Sequence, residues 1–330
     1  MSTRLVTYTI PDGPSPTRHA VGLWVGDYVV DVIGAAQACG TVDCRCEAEC
    51  RPSVATILAR EDCLAAVCAC GRWFETADAT ARSQVARPLS EVKLLAPVPR
   101  PPKLLALAGN YRAHIKESQG AGNIGRVVES DLATPRVFMK PVSNTVCGPH
   151  DPIFINPHNV FVDYEAEMAV IIGQGGRNIS RADALKHVSG ITICNDVSER
   201  DMHIWDRPET REWDKFFDWL NGKWCDNFAP MGPCAVPIGD IPDIHNLAMK
   251  LSVNGELRQD SNTAEMVFDV PMLIEYISHV CTLETGDIIA TGTPSGVGKA
   301  LGIALEPGDV VDIELEGVGI LSNPVVAREA

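Results

Sequence analysis

The segment Asp163-Tyr164-Glu165-Ala166-Glu167 and the run that follows it, Met168-Ala169-Val170-Ile171-Ile172, place two carboxylates two residues apart at the head of an apolar stretch. Side chains alternate faces along a strand, so Glu165 and Glu167 point the same way. Adjacent carboxylates on one face repel unless a proton or a cation lies between them, and burial sharpens that repulsion. A third acid, Asp196, closes a second apolar run, Gly190-Ile191-Thr192-Ile193-Cys194-Asn195. Three converging carboxylates make an oxygen cage for Mg2+, Mn2+ or Ca2+. A half-exposed strand whose acids face water has the same spacing, and two glutamates around one residue do not decide between these readings.

Asn110-Tyr111-Arg112-Ala113-His114-Ile115-Lys116-Glu117 is the second constellation. If Asn110 caps a short helix, His114 and Glu117 share a face as i,i+3 neighbours. The carboxylate would then orient the imidazole and make it a general base for water; alone, the pair reads as an ordinary surface contact. Gly120, Gly122, Asn123 and Gly125 follow and suit a mobile lid. A third segment, Ala290-Thr291-Gly292-Thr293-Pro294-Ser295-Gly296-Val297-Gly298-Lys299, is rich in glycine but lacks the residues of a phosphate-binding P-loop. Its backbone N–H groups and the Thr293 hydroxyl can approach an anionic group, or the segment is simply a tight turn.

The elements that position these groups read mostly as strands: residues 104–107, 137–139, 167–172, 190–194, 250–253, 287–290 and 310–315. Helical spacing predicts helices at 181–188, 212–220 and 269–280, fewer than the strands, so a mixed α+β domain fits better than a doubly wound one. Upstream, residues 19–32 read as a hairpin turning at Gly26-Asp27, and residues 53–70 as one helix capped by Ser53. Pro97-Val98-Pro99-Arg100-Pro101-Pro102 can continue neither helix nor central strand. It divides a small N-terminal domain, 1–96, from a larger one, 103–330.

The chain has 330 residues and a net charge of −15, which argues against a nucleic-acid partner or an anionic membrane surface. No apolar run reaches the roughly 18 residues of a membrane span, and the N-terminus makes a poor signal peptide, so a cytoplasmic location is expected. Seven of the twelve cysteines fall between Cys39 and Cys70, as Cys39, Cys44, Cys46, Cys50, Cys63, Cys68 and Cys70. Without paired zinc spacing or a nearby histidine they read first as small buried residues, with disulfides or a thiolate metal site as alternatives. Residues 204–224 hold four of the six tryptophans, read first as packing residues and second as a substrate wall.

Taken together, several segments resemble the fumarylacetoacetate hydrolase family in its acylpyruvate-hydrolase-like branch, over about residues 103–326. They are Asn110-Tyr111 with His114 and Glu117, Phe138-Met139-Lys140-Pro141, Asp163-Tyr164-Glu165-Ala166-Glu167, Asn195-Asp196 with Arg200-Asp201, Val253-Asn254-Gly255-Glu256, Thr291-Gly292-Thr293-Pro294 with Gly296-Val297-Gly298, and Pro307-Gly308-Asp309. The resemblance implies a mixed β-sandwich roll with a small N-terminal α+β domain, a homodimer, and a divalent cation (Mg2+ or Mn2+, with Ca2+ possible in a crystal) held by Glu165, Glu167 and Asp196. It implies a small anionic 2-oxo or 2,4-dioxo acid as substrate, with the cation stabilising an enolate while a C–C bond of a β-diketo acid is hydrolysed. His114 and Glu117 would activate water and Lys223 would stabilise the oxyanion. Arg200, His203, Thr293, Tyr111 and Lys140 take substrate-contacting positions, Lys140 also supporting the site from behind. His203 stands where related sequences commonly carry glutamine. The same platform suits 2-oxo acid decarboxylation, or hydratase or isomerase chemistry of aromatic catabolism, and these are the alternatives.

Overall fold

The computed structural model describes residues 2–11, 19–40, 52–120, 134–202 and 204–329, the side chains of 118–120 excepted. The predicted lid at 120–125 therefore falls almost wholly outside the described residues, as do Cys44, Cys46, Cys50 and His203.

The apolar runs flanking the acids are neighbouring antiparallel strands, Ala166–Ile172 and Val188–Asn195, buried along their whole length. Their register sets Ala166 opposite Asn195 and Glu167 opposite Cys194, which brings Glu165, Glu167 and Asp196 to one end of the pair. They lie centrally in an open sheet that runs, among the described residues, through Ala86–Pro88, Tyr28–Asp31, Ala20–Val25, Leu5–Thr9, Ala229–Pro237, Val188–Asn195, Ala166–Ile172, Ile288–Ala290, Leu104–Leu107 and Val137–Met139. A second sheet is ordered Glu256–Asn262, Ala248–Val253, Val310–Leu315, Gly319–Ala327 and Ile153–Ile155.

Alternation along the central strand feeds two cores. Met168, Val170 and Ile172 pack with Met249, Leu251 and Ile313 of the second sheet. Ala169 and Ile171 pack with Val54, Ile57 and Leu58 of the N-terminal helices. A strand covered on both faces has no polar face to present, hence its unbroken apolar run. Each buried Ile or Met contributes roughly 1.5–3 kcal/mol, so the acids stand on the most firmly held part of the molecule. The architecture is the mixed α+β sandwich expected from the sequence, and the Gly26-Asp27 hairpin forms with Val25 opposite Tyr28. No helix among the described residues is long and apolar enough to cross a membrane.

Several expected elements differ. Residues 53–70 form two helices, Val54–Leu58 and Glu61–Thr76; Ser53 does cap the first, but Glu61 and Asp62 start a new N-terminus, where acidic side chains suit the helix dipole. The helix expected at 181–188 is only a 3-10 turn, Ala184–His187, because the chain enters a strand at Val188. Asn110 does not cap the helix Arg112–Gly120. Its side chain, 1% exposed, donates to Phe268 O (3.1 Å) and Thr291 O (2.7 Å) and accepts from Phe268 N (2.9 Å). The strand Ala229–Pro237 was hidden by Pro230, Pro233 and Pro237, which lack the N–H of a central ladder. Its neighbour shifts register between Ile191 and Ile193, and the Thr192 hydroxyl donates to Cys234 O at 2.8 Å. Cys63 and Cys70 are buried with Val67 and Phe74 in the N-terminal core, as small packing residues would be.

Replacing Asn110 with Ala strands the buried Thr291 carbonyl and the part-buried Phe268 carbonyl and N–H, a buried group costing about 1–3 kcal/mol when unpaired. We expect the variant to lose at least about 3 kcal/mol in urea denaturation, with the slope unchanged.

Candidate active site

Ligand oxygens of Glu165, Glu167 and Asp196 lie within 4.8 Å of one another, and all three residues are buried. Around them the chain supplies two buried lysines and a part-buried arginine. Lys223 Nζ donates to Glu165 Oε2 at 2.6 Å and Asp196 Oδ2 at 2.7 Å. Lys140 Nζ donates to Asp196 Oδ1 (2.6 Å), Val197 O (2.9 Å) and Phe228 O (2.6 Å). Arg200 pairs with Asp163 through Nε at 2.9 Å and with Glu165 through its terminal nitrogen.

These cations are shared unevenly. Burial alone would raise the pKa of Glu165, but Arg200 and Lys223 overcome it and hold the carboxyl well below the usual range. Glu167 shows the reverse: burial first, then the charges of Asp196 and Glu165, push it well above the usual range. Its Oε2 accepts from Gly292 N at 2.8 Å, while Oε1 is buried with no partner. An orphaned carboxylate oxygen facing two other acids is what a hard divalent cation takes as ligand, so the residues present fit such an ion. Burial would lower the Lys223 ammonium, yet Asp196 and Glu165 raise it; burial wins at Lys140, which falls below the ordinary lysine value.

The glycine-rich loop around Thr293 turns its N–H groups onto the protein's own acids, a correction to the expectation of a ligand anion there. Gly292 N holds Glu167, Gly296 N holds Glu117 at 3.0 Å, and Gly298 N holds Asp163 at 2.6 Å. Gly296 has φ +96°, and a Cβ there would lie 2.1 Å from Arg258 O, so only glycine brings that N–H to Glu117. Glu117 in turn lies 3.3 Å from His114 Nδ1, forming the expected pair and leaving Nε2 without a hydrogen bond among the described residues.

His114, Glu117, Glu165, Arg200, Lys223 and Thr293 all line one cavity of about 940 Å3. Two residues placed in substrate contact by the sequence are corrected. Lys140 does not line the cavity and is fully engaged behind Asp196, which rules out substrate contact and agrees with the other expectation, that it supports the site from behind. Tyr111 is 0% exposed, does not line the cavity, and keeps its hydroxyl buried without a partner. Sequence reasoning passed over Gln259, which ties Ala166 N (3.0 Å) to the Thr293 hydroxyl (3.0 Å) from a strand too polar to recognise. It also gave Asp163 no role, although Asp163 stands in the same acidic motif. The helix Glu212–Asn221 buries none of its residues fully; Trp219 packs edge-on against the core residue Phe138 and also lines the cavity, whereas Trp213 is 73% exposed, so packing onto the chain's own core accounts for Trp219 but not for Trp213.

Residues 103–326 match the family model for the C-terminal domain of fumarylacetoacetate (FAA) hydrolase. The chain belongs to the fumarylacetoacetate hydrolase family. It is 43% identical over 244 residues to oxaloacetate tautomerase YisK of Bacillus subtilis (strain 168), covering 72% of this chain and 74% of that one. It is 41% identical over 241 residues to mitochondrial oxaloacetate tautomerase FAHD2B of Bos taurus, covering 72% and 71%. Among solved structures it resembles maleylpyruvate hydrolase from Sphingobium sp. SYK-6 in complex with manganese (II) ion and pyruvate, at a TM-score of 0.69 and 28% identity, covering 99% of this chain and 100% of that one. It also resembles 5-carboxymethyl-2-hydroxymuconate delta-isomerase from Mycobacterium smegmatis, at 0.67 and 28%, covering 98% and 100%. These relatives are enzymes acting by tautomerisation, hydrolysis and isomerisation.

Replacing Glu167 with Gln should separate the electrostatic burden from the metal-binding role. Without metal, the variant gains roughly 1–2 kcal/mol, since a repelled buried acid is removed. With Mn2+ at 100 times its dissociation constant, the wild type gains about 2.7 kcal/mol and the variant nothing. Urea midpoints with EDTA and with Mn2+ measure both.

Proposed function

We propose that this protein is a divalent-metal-dependent keto–enol tautomerase of small 2-oxo acids, with oxaloacetate the candidate substrate. The observation that carries the reading is the His114–Glu117 pair, fixed by Gly296 N and opening on the cavity that Glu165 also lines. Tautomerisation moves a proton between the enol oxygen and the carbon alpha to the carbonyl. His114 Nε2 is free to take that proton and return it, so the protein's proton count is unchanged over a cycle. Glu117 keeps the ring oriented and stabilises it when protonated. When bound at the three carboxylates, a divalent cation supplies Lewis acidity toward the substrate's keto and carboxylate oxygens. Lys223 and Arg200 add fixed positive charge at the same end of the cavity, where an enolate oxygen develops charge. The tautomerase relatives, above 40% identity, support the choice among the reactions this platform suits.

Hydrolysis of a C–C bond in an acylpyruvate-type diketo acid is the second reading. The same His114–Glu117 pair favours it, because a base oriented by a carboxylate and opening on the cavity can equally activate water. The likeness to maleylpyruvate hydrolase at 28% identity supports it less strongly than the tautomerase relatives support the first.

The test follows the disappearance of enolic oxaloacetate with Mn2+ or Mg2+, beside pyruvate release from acylpyruvates. We expect rapid, EDTA-sensitive tautomerisation. His114→Ala should lower kcat by roughly 10²–10⁴ with Mn2+ affinity unchanged. Full activity after exhaustive metal removal would refute both readings, and acylpyruvate cleavage with the higher kcat/KM would replace the first by the second.

A further inference from the structure

The geometry points to Arg136 as the specificity-determining residue of this cavity, holding the second carboxylate of a dicarboxylic 2-oxo acid; this rests on the 2-oxo acid reading above.

Arg136 stands immediately before the strand Val137–Met139, whose ladder with Leu104–Leu107 extends past both ends. Lys140 N donates to Leu104 O at 3.1 Å, and Ala108 N donates to Arg136 O at 2.9 Å. Extended backbone across residues 136–140 puts alternate side chains on one face, about 7 Å apart. Lys140, the innermost, bonds Asp196 at 2.6 Å. Phe138, the next, lies 5.1 Å under the Lys223 ammonium. Arg136 is the third and outermost on that face, lining the same cavity but exposed. The strand is thus a ruler leading from the three acids toward the mouth, with a guanidinium at its outer end.

The charges along the cavity single out this residue. Arg200 and Lys223 are engaged with Asp163, Glu165 and Asp196. Arg207 pairs with Asp218 at 2.6 Å, Lys215 with Glu212 at 2.7 Å, and Lys299 with Asp201 at 2.6 Å. Among the described residues, Arg136 is the one cation lining the cavity that has no carboxylate partner. A guanidinium with no carboxylate partner among the described residues is a forked donor suited to the carboxylate of a ligand. A substrate whose 2-oxo acid end lies at the three carboxylates and whose far end carries an acid would complete the pairing.

The test is calorimetry on the Mn2+-loaded protein with two 2-oxo acids of equal chain length, 2-oxoglutarate and 2-oxopentanoate, for wild type, Arg136→Met and Arg136→Lys. We expect the wild type to prefer the diacid. Arg136→Met should weaken the diacid by roughly 10- to 100-fold while leaving the monoacid and Mn2+ affinities within about twofold. Arg136→Lys should restore part of the difference. Binding does not depend on turnover, so this outcome stands apart from the choice between tautomerase and hydrolase. Equal weakening of both acids, or of neither, overturns the assignment. Failure of the wild type to bind either acid overturns the 2-oxo acid reading and the assignment with it.

Discussion

Four buried carboxylates and three cations, two of them buried, meet at the end of the central strands, and the whole site answers to that imbalance. Asp163, Glu165, Glu167 and Asp196 are set against Lys140, Lys223 and Arg200. The cations are not averaged over the acids: Glu165 has two of them, Asp196 has two, and Glu167 has a backbone N–H. Truncating one partner of a buried ion pair leaves its mate exposed to the full desolvation penalty. At Glu167 that condition exists by construction, and only a proton or a cation from outside relieves it. A folded protein accepts such a local deficit where function requires it and compensates elsewhere, here with strands packed on both faces.

The same demand explains the loop at 291–298. Three of its backbone N–H groups satisfy three acids drawn from two different parts of the chain, Glu117 on a helix and Asp163 and Glu167 at the central strands. It therefore couples the His114–Glu117 pair to the three acids through its backbone. Asn110 fastens its base by bonding Thr291 O, and Gln259 fastens its middle through the Thr293 hydroxyl. Positions that look like substrate contacts in the sequence are in part the means by which acids are held apart at fixed distances.

Legibility in the sequence followed how local each cause was. Apolar runs report burial directly, so the strands carrying Glu167 and Asp196 and the cage itself could be read, as could the i,i+3 pair His114 and Glu117. What failed depended on distant partners. Asn110 looks like a helix cap because its real partners are Phe268 and Thr291, more than 150 residues away. Lys140 looks available to substrate until Asp196, Val197 O and Phe228 O take all three of its protons. The strand Ala229–Pro237 contradicts local propensity, and only its burial between two neighbours makes it a strand. Glu256–Asn262 is polar enough to pass for a loop, which concealed Gln259.

Charge connects these scales. The chain as a whole carries −15 and so repels the small anions its relatives act on. Screening in physiological salt confines that repulsion to about 8 Å, so an anion that reaches the cavity responds to its lining. Arg136, Arg200, Arg207, Lys215, Lys223 and Lys299 line it, and among the described residues all but Arg136 are paired with acids, namely Asp163, Glu165, Asp196, Asp201, Glu212 and Asp218. A cation at the cage would reverse the deficit of positive charge at the inner end, and Arg136 supplies charge at the outer. Selection for an anion with charge at both ends then follows from where the protein leaves its cations unpaired.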